Sequence, residues 1–69
     1  MEVLVFKTNL TTHCVSRISH HLDAHPHISR WNVDLQDCDN ILRIETEQLQ
    51  GSEIESMLTG AGYYCEELQ

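Results

Sequence analysis

The sequence predicts an α+β domain of order β-α-β-β-α-β, a four-stranded antiparallel sheet with two helices on one face. Three observations carry this. Four segments are rich in β-forming or alternating apolar residues. Two intervening segments repeat apolar residues at helical spacing. The chain has only 69 residues. That length fits one small domain with a lean core, here residues 1–69 as a single unit.

Residues 2–8, Glu-Val-Leu-Val-Phe-Lys-Thr, read as the first strand. Thr11 and Thr12 can cap a helix start, and Val15, Ile18 and Leu22 recur at i, i+3 and i+7. That pattern predicts a helix over 12–24. Pro26 disfavours helix at His25 and ends the element near Ala24. Trp31, Val33 and Leu35 alternate within a strand over 29–36. Asp37-Cys38-Asp39-Asn40 is a turn cluster, and a strand over 40–47 puts Leu42 and Ile44 on one face. The short link makes these two strands a hairpin.

Ser52 and Glu55 match a capping box for a helix over 51–61, with Gln50 or Gly51 as alternative starts. Ile54, Leu58 and Ala61 form its apolar stripe, with Met57 beside it, and Gly62 supplies a stop. A strand over 63–68 closes the chain. The expected core is Leu4, Phe6, Val15, Ile18, Leu22, Ile28, Trp31, Val33, Leu42, Ile44, Ile54 and Leu58. The split βαβ, ferredoxin-like arrangement packs this order economically. Its topology brings residues 9–13, 36–40 and 61–64 to one end, and Cys14, Cys38 and Cys65 lie in or beside those loops.

Charge excludes several functions. The net charge is −7, and all four bases, Lys7, Arg17, Arg30 and Arg43, precede Ile44. No basic stripe can neutralise phosphates, so nucleic acid is not an expected partner. Val3 to Phe6 is the longest strongly apolar run, too short to insert in a membrane or to form a signal core. Three cysteines at wide spacing imply no disulfide framework and fit a reducing, cytoplasmic setting.

Several pieces of this chain resemble a heavy-metal-associated domain, the module of copper chaperones and of metal-transporting ATPase N-termini. Cys14-Val15-Ser16-Arg17-Ile18 with Leu22 resembles the Cys-Val-x-x-Ile-x-x-x-Leu helix of that family. His25-Pro26-His27-Ile28 sits where the family has Leu-Pro-Gly-Val. Trp31-Asn32-Val33-Asp34-Leu35 is similar to its Val-x-Val-Asp-Leu strand, and Ala61-Gly62-Tyr63 to its Ala-Gly-Tyr step. The resemblance spans nearly the whole length and implies a soft-metal-handling domain of the metallochaperone type.

The family's Met-x-Cys-x-x-Cys loop is degenerate here, as Leu10-Thr11-Thr12-His13-Cys14. With Cys14 as the second cysteine, the first falls on Thr11. With Leu10 in place of the methionine, the loop is one residue short. Two thiolates make such a site linear and selective for Cu(I), and a hydroxyl is a hard, poor substitute. The expected metal residues are therefore Cys14 and His13, holding a soft ion such as Cu(I) weakly.

Cys14 lies at a helix N-terminus, where the dipole favours the thiolate. Cys65 reads as a core-facing residue of the last strand and Cys38 as an exposed turn residue. Tyr63 either approaches the metal loop or seals that end of the core. His21 and His25 stand at i, i+4 with His20 and His27 nearby, which reads first as a solvated histidine-rich helix end, with adventitious Zn²⁺ or Ni²⁺ binding as the alternative. No nucleophile–base grouping, phosphate loop or Cys-x-x-Cys redox pair is present, so no enzyme is expected. The alternative reading is a protein-interaction module, with a protein partner or a homodimer, that kept the fold and lost the metal.

Overall fold

A computed structural model describes residues 2–36 and 38–68. The elements are β1 (Glu2–Thr8), α1 (Thr12–Ala24), β2 (Ile28–Asp34), β3 (Ile41–Thr46), α2 (Gly51–Gly60) and β4 (Cys65–Leu68). The four strands form one antiparallel sheet in the order β2-β3-β1-β4, an α+β fold of the ferredoxin-like kind. Helix α1 spans the expected 12–24, and α2 ends one residue short of the expected 61. Both middle strands are shorter than the sequence suggests, and β4 begins at Cys65 rather than at residue 63. Asp37 of the expected turn lies outside the described residues.

Alternation sets the two faces of the sheet. In β1, Leu4, Phe6 and Thr8 are buried, while Val3 and Lys7 are exposed. Leu4 pairs with Ile44 and Phe6 with Leu42, so the apolar rows of β1 and β3 align beneath the helices. Ile18 and Leu22 of α1 and Ile54 and Leu58 of α2 complete this core. Val15, Ile28, Trp31 and Val33 are only partly buried and pack around its margin. Edge strand β2 explains this for three of them, because it has one neighbour instead of two. Trp31 spends its polar edge on Asp23, its Nε1 donating to Oδ1 at 2.8 Å, which ties β2 to the end of α1. Leu10 and Ile41, not expected inside, are buried.

Two buried threonines hold the ends of the sheet. Thr46 Oγ1 donates to the His27 carbonyl at 2.5 Å and accepts the Gln48 and Leu49 N–H groups at 3.3 Å. Thr8 Oγ1 donates to the Asn40 carbonyl at 2.6 Å and accepts the Leu10 N–H at 3.2 Å. Buried hydroxyls are tolerated only when paired in this way.

Helix α2 starts differently from the Ser52–Glu55 expectation. Gln50 is the N-cap, and its N–H donates to the Glu53 carboxylate at 2.7 Å. Glu55 is drawn instead to β4, where its Oε2 accepts the Glu67 N–H at 2.7 Å. The helix ends in a Schellman arrangement. Tyr63 N–H donates to the Leu58 carbonyl and Gly62 N–H to the Thr59 carbonyl, both at 3.0 Å. This reversal needs a left-handed residue, which Gly62 supplies at φ +95°.

A candidate soft-metal thiol at the loop end

Three loops converge beyond the end of β1, and hydrogen bonds lock them together. Asn40 Nδ2 donates to the Leu10 carbonyl at 2.8 Å, and Thr8 N–H donates to the Asp39 carbonyl at 3.1 Å. The Tyr64 N–H donates to Asn9 Oδ1 at 3.0 Å. Asn40 adopts a positive φ of 48°, a conformation asparagine tolerates better than most residues. Neither Asn9 nor Asn40 stands out in the sequence as a site residue. Their only signal is their place in turn-forming clusters, where asparagine side chains commonly bond backbone.

Cys14 stands on the first turn of α1 beside this junction, half-buried. Thr11 is the N-cap, and its hydroxyl faces the cysteine. Thr11 Oγ1 donates to Cys14 Sγ at 3.3 Å and accepts the Cys14 N–H at 3.5 Å. The Thr11 hydroxyl is the main cause that lowers the Cys14 thiol pKa, with the Thr11 backbone next. Slight desolvation opposes them, and the Tyr63 side chain and the charge of Arg17 add to the lowering. Tyr63 packs against the core, the sealing role that is one of its two readings. The Schellman turn is what delivers it there.

The other cysteines differ. Cys65 is buried, and desolvation, reinforced by Glu55 and Glu67, pushes its thiol up to about 12. It stays a neutral core thiol near neutrality. Cys38 is exposed in its turn, and all three cysteines are free. His13 is exposed beside Cys14 on the same helical turn. Adjacent helical residues point about 100° apart, so the two side chains do not face one another. Among the described residues, no group of three or more His, Cys, Asp or Glu side chains is placed to hold a metal ion.

At the far end of α1, His25 Nδ1 accepts the His27 N–H at 3.2 Å, and the two rings lie 5.8 Å apart. His25 therefore spends a ring nitrogen on the turn, which is its structural use. Surface concavities are shallow. An open one of about 230 Å³ lies beside the Cys14 loop, between Leu10, Thr11, Thr12, Leu35 and Asn40. An apolar one of about 50 Å³ lies between the helices, with His21 and Met57 at its rim.

Among the described residues, the side-chain hydrogen-bond partner of Cys14 Sγ is the Thr11 hydroxyl. Comparison with family models, with curated proteins and with solved structures gives no match. Among the described residues no helix is long and apolar enough to cross a membrane.

Proposed function

We propose that this domain handles a soft metal ion of the Cu(I) type through Cys14, as a degenerate member of the heavy-metal-associated class. One observation carries the reading. Position 11 lies against the Cys14 sulfur, its oxygen 3.3 Å away, where a Cys-x-x-Cys loop would put its first thiol. Cys14 is also the thiol whose surroundings favour the thiolate, the form that binds a soft ion. With Cys65 inward and neutral, the second sulfur comes from outside the chain, either from Cys14 of another copy or from a partner delivering or receiving the ion. Such a site is weak on its own and suited to transfer. His13 is the nearest in-chain substitute.

The test is a Cu(I) titration against a competing chelator, with wild type, Cys14→Ala, His13→Ala and Cys38→Ala side by side. Cys14→Ala abolishes competition, and Cys38→Ala leaves it unchanged. Equal competition by wild type and Cys14→Ala overturns the reading. Loss on His13→Ala as large as on Cys14→Ala makes the second ligand internal and removes the need for another chain.

The reading as an interaction module has its own supporting observation, a sheet face of balanced charge and partly apolar character on a strongly acidic chain.

A further inference from the structure

The helices cover one face of the sheet, and the other is open. Register places the residues of that open face on a grid. Arg30, Glu45 and Val3 form one cross-strand row, and Asn32, Arg43, Val5 and Leu68 the next. Asp34 and Ile41 begin a third row, which Lys7 and its partner Glu66 complete on β1 and β4. Ile41 is buried yet lies outside the core cluster, as a residue sheltered on the open face must. Tyr64 shares this side, its hydroxyl donating to the Glu66 carboxylate. Val3, Tyr64 and Leu68 are three of the four large apolar side chains left exposed among the described residues.

Charge is distributed unevenly. Three of the four basic residues, Lys7, Arg30 and Arg43, occur in this grid, with three acids, Asp34, Glu45 and Glu66. Lys7 also holds Asp39 at 3.6 Å, so three bases meet four acids and the face carries −1 of the net charge of −7. Two copies meeting by the α2 side, which carries Glu53 and Glu55 and no base, set acid against acid. Meeting by this face, they bury Val5 and Leu68 at the centre and can match Arg30 and Arg43 with acids of the other copy.

We propose that the open sheet face is a homodimer interface, on which two copies pack sheet against sheet across Val5 and Leu68. Four strands about 4.8 Å apart and about 20 Å long give a footprint of roughly 400 Å² per copy. That is the low end for specific interfaces, so the dimer is reversible, with a dissociation constant in the micromolar range or weaker. This interface is independent of metal binding.

The experiment is sedimentation over a concentration series up to about 1 mM, in about 0.15 M salt. It uses metal-free protein carrying Cys14→Ser and Cys38→Ser, with chelator and reductant present, so neither an exposed thiol nor metal can bridge copies. The expected result is a concentration-dependent dimer. Leu68→Glu and Arg43→Glu each raise its dissociation constant by about tenfold or more. Arg17→Glu changes net charge as much as Arg43→Glu does but lies on α1, and it leaves the dimer nearly intact. Circular dichroism checks that each variant is folded. As a second readout needing no face variant, amide NMR shifts that move with concentration cluster at Val3, Val5, Arg43 and Leu68. A monomer at every concentration overturns the proposal. So does a dimer equally weakened by Arg17→Glu and Arg43→Glu, or one whose shifts map to the helices.

Discussion

Restoring the missing thiol by Thr11→Cys tests the geometry at Cys14. Thr11 Oγ1 already sits 3.3 Å from Cys14 Sγ. With metal–thiolate bonds gauged by the zinc value of about 2.3 Å, two sulfurs around one ion lie roughly 4.6 Å apart. The pair must open by only about 1.3 Å, within the rotamer freedom of two accessible side chains. On the proposed reading, in wild type at about 10 µM protein the second sulfur would arrive from another chain at that same concentration. In Thr11→Cys it arrives at an effective concentration of about 1 mM or more, a gain of roughly 100-fold or greater. The substitution loses a threonine N-cap, which costs about 1 kcal/mol of folding stability and not of affinity. Competition against a Cu(I) chelator should therefore show the variant binding one ion per chain, at least about 100-fold tighter than wild type. Equally tight one-to-one binding by both would refute the reasoning, because wild type would then own a second ligand. A variant no tighter than wild type would show that the shorter Leu10–Cys14 loop aims position 11 out of line.

The fold itself sets three further outcomes. Thr46→Val removes a hydroxyl that makes three hydrogen bonds in a fully buried position, and should cost about 2–3 kcal/mol in urea unfolding. A loss under about 0.5 kcal/mol would show that the bonds are not structural. Gly62→Ala forces a side chain to φ +95° and should cost about 1–2 kcal/mol, seen as a lower heat midpoint, while an unchanged midpoint would contradict the turn. Cys65 carries a pKa pushed up to about 12 in the fold, against about 8.5 when unfolded. Between those values the unfolded chain binds fewer protons, so stability falls as pH rises. Cys65→Ala should lose less stability than wild type between about pH 7 and pH 10 in urea titrations, and equal losses would contradict the burial effect.

Most of the fold was legible because its signals are local. Val15, Ile18 and Leu22 give the period of α1, Pro26 its end, and Gly62 the stop of α2. Tertiary pairing set the features that the sequence hid. Trp31 and Val33 alternate like core residues, but an edge strand leaves them half-covered. Leu10 comes after a strand and precedes a cap, with no periodicity to mark it, yet it is fully buried. Ser52 and Glu55 have capping-box spacing, but Glu55 finds a better partner in the β4 backbone. At the candidate site, Cys14 and the inward Cys65 could be read from position. The Thr11 hydroxyl against the sulfur comes from a helix cap, and the packing of Tyr63 on the core from a reversal around Gly62. Neither is a spacing that a sequence displays.

The proposal that Cys14 is a single soft ligand completed by a second sulfur has a spectroscopic signature. X-ray absorption at the copper edge reads it, on wild type loaded with substoichiometric Cu(I) under reductant and with its mass measured natively. The expected result is two sulfur neighbours and one copper per two chains, with the copper lost in Cys14→Ala. One copper retained by a single chain, or a first shell of nitrogen and oxygen, would contradict it.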